Sequence, residues 1–256
     1  MRSLFMMRSK FLHFMTALAA LPMSACHLLL APATRPLRKL QFEPQGNKAQ
    51  ELVLLLPGRL SPPEEFVQSG IVDLIQKERP LARIVAPDLH LGYYMRGLAD
   101  ACLHEEIIGP AKKQGLRVTI IGVSMGGLGA LTYSLRFPGE VDEMLLLSPF
   151  VGDKELLAEI ERAGGLEKWE SAVGTPRTKA EALQKMWIEI KRQWLSRSGP
   201  PLPIALAVGK SDRLLASNRF FARSILKPDQ LIEIEGGHDW ACWKQGTVIL
   251  LSNSKG

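Results

Sequence analysis

Ser124 stands in the run Gly122-Val123-Ser124-Met125-Gly126, directly after the apolar stretch Val118–Ile121 and before the small residues Gly127 to Ala130. The spacing G-x-S-x-G suits a sharp strand-to-helix turn that holds a serine hydroxyl in a strained, exposed position. Glycine at 122 and 126 keeps side chains out of the place where strand and helix crowd each other. Such a pentapeptide also arises by chance, as a glycine-rich turn with a structural serine. The flanking strand and helix patterns are what mark Ser124 as a candidate nucleophile.

A serine hydroxyl attacks poorly until a base takes its proton and a third group orients that base. The chain has five histidines, His13, His27, His90, His104 and His238. The first two lie in or beside the N-terminal apolar segment, and His104 falls inside a helical pattern. His238 follows the strand-like run Leu231–Ile234 on the loop Glu235-Gly236-Gly237, and is favoured as the base over His90. For the orienting acid, Asp212 follows Ile204–Val208 through Gly209-Lys210-Ser211 and is favoured over Asp153, which follows Met144–Leu147. Asp88 and Asp239 read as structural or surface residues. A developing oxyanion needs backbone donors. The Met125 N–H, next to the nucleophile, is one. The turn Pro57-Gly58-Arg59-Leu60 supplies the other, with the Arg59 N–H preferred and Leu60 next.

These residues need a scaffold that brings strand ends together. Leu52–Leu56, Arg83–Ala86, Val118–Ile121, Met144–Leu147, Ile204–Val208 and Leu231–Ile234 are short, continuous apolar runs, as expected of strands buried on both faces of a parallel sheet. Helical patterns alternate with them at Glu64–Arg79, Gly97–Gln114, Gly127–Phe137, Leu214–Leu226 and Trp240–Leu251. This alternation predicts an α/β fold with a doubly wound, mostly parallel sheet, which places Ser124, Asp212 and His238 at its carboxyl rim. The stretch of about 151–203 is too long for a bare loop. Its periodicity in Lys154–Ala163 and Lys179–Leu195, with Trp169, Trp187 and Trp194, predicts a helical cap. The tryptophans either pack that cap onto the domain or offer a surface to an apolar acyl or aryl group.

With these residues in order, the chain resembles an α/β-hydrolase-fold serine hydrolase over roughly residues 50–252. The stretches Gly122–Leu131 and Gly236–Trp240 are similar to bacterial esterases, including the esterase D-like group. The chain departs from many members at Pro57-Gly58, where they carry His-Gly; this bears on the second oxyanion donor and not on the fold. The resemblance implies that the first and last helices share one face of the sheet. Cys102 and Cys242 then fall on opposite faces, unbridged and away from the chemistry.

The formal charge of +6 is carried by Arg2, Arg8, Lys10, Arg35, Arg38 and Lys39, in a stretch without acids; the rest of the chain is balanced. A neutral body with no basic-aromatic cluster argues against a nucleic-acid partner. Arg2, Arg8 and Lys10, the apolar Phe11–Leu21 and the small residues before Cys26 form an export-signal pattern. Met23-Ser24-Ala25-Cys26 resembles a bacterial lipobox, with methionine where leucine is usual. Residues 1–26 are therefore expected to be a signal segment, 27–46 a tether and 47–256 the hydrolase domain, in the bacterial periplasm or envelope and attached to a membrane through the N-terminus. No metal-ligand spacing or phosphate-binding glycine loop is present, and no cofactor is expected. The leading expectation is hydrolysis of a small carboxylic ester. A thioesterase or acyltransferase with the same groups, a non-catalytic binding protein and a structural envelope lipoprotein are the other readings. Mass spectrometry of the mature N-terminus checks the lipobox: a diacylated Cys26 is expected, and an unmodified Cys26 or cleavage elsewhere contradicts it.

Overall fold

A computed structural model describes residues 31–254 other than 45, 47 and 198. The signal segment and Cys26 lie outside the described residues. Seven strands form one sheet: β1 (Lys39–Phe42), β2 (Glu51–Leu56), β3 (Ala82–Pro87), β4 (Arg117–Val123), β5 (Glu143–Leu147), β6 (Ile204–Gly209) and β7 (Leu231–Ile234). Their order across the sheet is β1-β3-β2-β4-β5-β6-β7. All neighbours run parallel except β1, which pairs antiparallel with β3. This is the α/β-hydrolase type of sheet, and the six strands read from the sequence are β2 to β7.

Strand geometry turns a continuous apolar run into two cores, because successive side chains point to opposite faces. Leu52, Leu54 and Leu56 enter one core, while Val53 and Leu55 enter the other. The first core is covered by α3 (Leu91–Met95), α4 (Ala99–Leu103), α5 (Gly109–Lys113), α6 (Met125–Arg136), α7 (Lys154–Arg162), α8 (Lys179–Gln193) and α9 (Leu215–Ile225). The second is covered by α1 (Glu64–Gln68), α2 (Ile71–Glu78) and α10 (Trp240–Asn253). Cys102 belongs to the first core and Cys242 to the helix packed on the second; both are buried and free. Burial pushes both thiols up, that of Cys242 to about 11, so neither is a ready thiolate.

Four local readings change. Lys39–Phe42, expected within the tether, forms the edge strand β1. Residues ahead of it are also held: the Tyr93 hydroxyl donates to the Thr34 carbonyl at 2.7 Å, and the Leu37 N–H donates to Glu106 at 2.6 Å. The helix expected over Glu64–Arg79 breaks between α1 and α2 at Gly70, whose φ of +76° favours glycine. A short helix, α3, precedes Gly97 where none was expected. The helix over 97–114 keeps its course but widens into a π-type turn at His104–Ile108. Pro110 has no N–H for the carbonyl of Glu106, and the Lys39 ammonium reaches that carbonyl at 3.4 Å.

The expected cap is present as α7 and α8, but it is fused to the body. α8 packs on α6 and α7 on α9. Trp169, Trp187 and Trp194 are all buried, and the Trp187 indole N–H donates to the Val151 carbonyl at 2.8 Å. The tryptophans therefore fasten the cap and offer no open aromatic surface to a ligand. Among the described residues, no helix is long and apolar enough to cross a membrane.

The tightest joint is between α6 and the end of β2. A Cβ on Gly126 would lie 2.0 Å from the Leu56 carbonyl oxygen, a backbone atom that cannot swing aside. Gly126→Ala is expected to lower stability by about 2–3 kcal/mol, read as a fall in the urea midpoint; an unchanged midpoint would contradict this packing.

Candidate active site

The turn between β4 and α6 is built by exclusion of side chains. A Cβ on Gly122 would lie 2.7 Å from the Gly126 carbonyl oxygen and 2.8 Å from the Gly127 nitrogen. Between these glycines Ser124 has φ 52° and ψ −111°, a conformation that a serine adopts only under constraint from its surroundings. Its N–H donates to the Leu147 carbonyl at 2.9 Å, and its carbonyl accepts from the Phe150 N–H at 2.9 Å. The end of β5 and the loop after it thus hold the serine through both of its backbone polar groups.

Two further loops meet it. The Lys210 N–H donates to the Ile234 carbonyl at 2.8 Å and the Ser211 N–H to the Gly236 carbonyl at 2.9 Å, so the loops after β6 and β7 are tied to each other. Gly209 is required there, since a Cβ would fall 2.4 Å from the Gly236 carbonyl oxygen. These ties bring Asp212 and His238 together. His238 Nδ1 lies 2.8 Å from Asp212 Oδ2 and 3.0 Å from Oδ1, and His238 Nε2 lies 3.0 Å from Ser124 Oγ. The tautomer consistent with this network has Nδ1–H donating to the carboxylate and Nε2 accepting from the serine hydroxyl.

Burial alone pushes the Asp212 carboxyl up, but hydrogen bonds from His238, the Leu214 N–H and the Ser148 hydroxyl outweigh it. The carboxyl is held below its ordinary value and stays ionised beside the imidazole. The Trp243 ring meets His238 edge-on, with centroids 5.0 Å apart. Trp240 meets Trp243, and Phe66 meets Trp240, in the same edge-on manner.

The rival residues have other work. Asp153 caps α7 by accepting from the Leu156 N–H at 3.2 Å, and His90 caps α3 by accepting from the Gly92 N–H at 3.1 Å. Asp239 caps α10 through the Cys242 N–H, and Asp88 pairs with Arg38. His104 stacks on Phe137 and bonds to the Tyr133 hydroxyl.

The loop after β2 lies against the serine: a Cβ on Gly58 would be 3.6 Å from Ser124 Cβ. The Ser61 N–H closes a turn onto the Gly58 carbonyl at 3.3 Å, with Leu60 at φ 67° and Arg59 exposed. Met125 opens α6, so its N–H belongs to the first-turn donors that a helix leaves unpaired. Among the described residues, neither the Met125 nor the Arg59 N–H donates to a backbone acceptor outside regular elements.

Sequence reasoning missed Ser148, Trp243 and Asn218. Ser148 follows β5 as a fully buried hydroxyl, and the Asn218 amide donates to the Pro149 carbonyl at 2.8 Å. A lone polar residue at the carboxyl end of a strand was the available signal for Ser148. Among the described residues, no group of three or more His, Cys, Asp or Glu side chains could hold a metal ion.

Residues 107–247 match the family described as "Putative esterase". The chain belongs to this esterase family. The family stretch begins in the helix before β4 and runs into α10, and so contains Ser124, Asp212 and His238. No curated protein matches this esterase significantly in sequence. Among solved structures, it is similar to a ferulic acid esterase with TM-score 0.58 and 21% identity, covering 83% of this chain and 89% of that one. It is similar to the fluorophosphonate-binding serine hydrolase F of Staphylococcus aureus, with TM-score 0.58 and 16% identity over 85% of this chain and 98% of that one. An S-formylglutathione hydrolase from Staphylococcus aureus gives TM-score 0.55 and 18% identity over 80% and 81% of the two chains. At these identities the likeness establishes the shared fold.

Asp212 also sets a dependence of stability on pH. Its native carboxyl is held below the unfolded value of about 4, so the gain is complete above that pH and is lost as pH falls through the lower native value. The wild type is expected to exceed Asp212→Asn in urea midpoint at neutral pH, with the gap closing below about pH 4. A gap that persists unchanged in acid would contradict the ionised pairing.

Proposed function

We propose that this esterase cleaves carboxylic esters through an acyl-enzyme on Ser124, with His238 as general base and acid and Asp212 as the group that orients it. The observation that carries the reading is the unbroken hydrogen-bonded order Ser124 Oγ, His238 Nε2, His238 Nδ1, Asp212 carboxylate. His238 Nε2 takes the Oγ proton as the oxygen attacks the ester carbonyl, and Asp212 stabilises the imidazolium that forms. The N–H groups of Met125 and Arg59 hold the oxyanion of the tetrahedral intermediate. Collapse expels the alcohol, which receives the proton from Nε2. Water then enters, loses a proton to Nε2 and releases the acid, restoring Ser124. The hold of Leu147 and Phe150 on the serine backbone supports the reading, because it keeps the nucleophile in place before the ester arrives.

The burial of Trp169, Trp187 and Trp194 removes the motive for expecting an apolar acyl or aryl group. Ester series of rising chain length then measure the preference directly. The proposed site of action is the envelope, with export through the N-terminal signal and attachment through a lipidated Cys26. Two acyl chains suffice for stable anchoring, and Arg35, Arg38 and Lys39 lie next to that end.

Ser124→Ala is expected to lose covalent labelling by a fluorophosphonate and to reduce ester turnover by about 10⁴-fold or more, with the circular-dichroism spectrum unchanged. His238→Ala is expected to fall as far, and the double variant no further, since the two groups act as one unit. Labelling that survives in Ser124→Ala would sink the assignment.

A further inference from the structure

We propose that the carboxyl rim of the sheet, the end that carries Ser124, is the face this esterase turns to a lipid bilayer, and that Met95 and Arg96 at the end of α3 are the residues that touch it. The inference rests on the attachment through Cys26 proposed above and adds the direction in which the site then looks.

The described chain begins against α3. A Cβ on Gly92 would lie 2.6 Å from the Ala31 carbonyl oxygen. The Tyr93 hydroxyl then holds both backbone groups of Thr34, accepting from its N–H at 3.2 Å and donating to its carbonyl at 2.7 Å. Arg35 pairs with Glu105, and the Leu37 N–H bonds to Glu106 just before β1 begins. The chain is therefore fastened to the body from Ala31 onward. Cys26 precedes Ala31 by five residues. Fully extended, such a stretch spans at most about 18 Å, whereas a domain of this size has a radius of about 22 Å. A lipid on Cys26 stays within about one such radius of α3 and cannot reach the opposite rim.

The candidate nucleophile shares that rim. α3 follows the carboxyl end of β3, and Ser124 follows the carboxyl end of β4. Both strands run parallel to β2, one on each side of it. They are two strand spacings apart, about 10 Å. A direct contact ties the two turns together: a Cβ on Gly129, in the first turns of α6, would lie 2.4 Å from the Tyr94 hydroxyl oxygen. The entry of the chain and the serine are thus held on one face.

The surface at this place suits a bilayer. Met95 is 77% exposed, against 40% for Val67 and 45% for Val248, the other large apolar side chains open to solvent among the described residues. Arg96 is exposed next to it and forms no ion pair within the described residues. An apolar side chain enters the acyl boundary of a membrane, and a guanidinium beside it meets anionic headgroups. One such pair binds a bilayer weakly by itself. The lipid on Cys26 holds it at high effective concentration beside the surface, so the pair sets orientation and the lipid sets affinity. The esterase then meets esters that partition into the membrane.

The test uses the processed chain, residues 26–256, which keeps every described residue. Its Cys26 thiol is either coupled to a maleimide lipid in vesicles of phosphatidylethanolamine and phosphatidylglycerol or capped with N-ethylmaleimide. Cys102 and Cys242 are buried, which confines the coupling to Cys26. The chain is attached in this way whether or not a cell lipidates it, so a failure of the lipobox reading, seen by mass spectrometry, is separate from a failure of this one. On the vesicles, chloramine-T is expected to oxidise Met95 about 10-fold more slowly than in the capped chain, as for a side chain covered about nine-tenths of the time. Acetylation of Lys113, exposed at the opposite rim, should not change. Met95→Glu is expected to lower turnover of umbelliferyl dodecanoate carried in the vesicles by about 4-fold or more, the factor that one buried methylene contributes to membrane partition. Turnover of water-soluble umbelliferyl acetate should be unchanged in this variant. Equal oxidation of Met95 on and off the vesicles, or shielding of Lys113 in its place, overturns the proposal, as does equal turnover of the vesicle-borne ester by Met95→Glu and wild type. If neither ester is cleaved, the reading of Ser124 fails, and the protection of Met95 alone decides the orientation: slowed oxidation supports it and unchanged oxidation overturns it.

Discussion

The approach of one backbone to another at the head of α6 is the constraint on which the site depends. Gly126 rests on the Leu56 carbonyl and Gly122 on the Gly126 carbonyl, at distances that leave no room for a methyl group. Because these are main-chain atoms in adjacent strands and a helix start, β2, β4 and α6 cannot move independently. The strain at Ser124 is the local expression of this joint. It is sustained by hydrogen bonds to Leu147 and Phe150, at and just after the end of β5, and by two cores that hold the sheet from either face. The loop of Gly58 is brought against the serine by the same joint.

The other half of the site is assembled by a different device. Asp212 and His238 lie on loops from neighbouring strands whose backbones bond to each other, so their separation is set before either side chain is considered. Burial of the carboxylate would by itself favour its neutral form. Donors from His238, Leu214 and Ser148 reverse that tendency and leave a charge in a nearly closed space. A buried charge is tolerated only when fully hydrogen-bonded. Asp212 meets that condition with donors that also fix its direction.

Much of this was legible in the sequence, for definite physical reasons. Strands buried on both faces are apolar through their middles, so β2, β4, β5 and β6 stood out as apolar runs, while β3 and β7 were legible despite Arg83 and Glu233. The serine turn was visible because only glycine fits its crowded corners. Asp212 and His238 were recognisable from their order behind strand ends. What escaped notice depended on distant partners. β1 is a four-residue strand, Lys39-Leu40-Gln41-Phe42, whose polar positions resemble a tether until β3 is beside it. The break at Gly70 and the π-type turn before Pro110 are local, yet both sit inside patterns with intact helical periodicity. Ser148 and Trp243 are 95 residues apart, and neither belongs to a motif. The tryptophans of the cap were read as two-way candidates because hydrophobicity does not say which side of a helix will be covered.

The sheet ends differently on its two sides. β7 is short and carries Glu233 in an ion pair with Arg219, a charged border that discourages another strand from adding to it. β3 carries Arg83 in an ion pair with Glu43, but beyond it Ile84, Val85 and Ala86 lie in an apolar run that would form an open edge. β1 closes it, pairing residue for residue from Lys39↔Pro87 to Phe42↔Ile84. The chain ahead of the hydrolase core is thus a guard against self-association as well as a connection. Proteolytic loss of residues 31–42 would leave the serine and its partners untouched while exposing a strand edge to a second molecule, so that such a fragment would lose solubility before it lost chemistry.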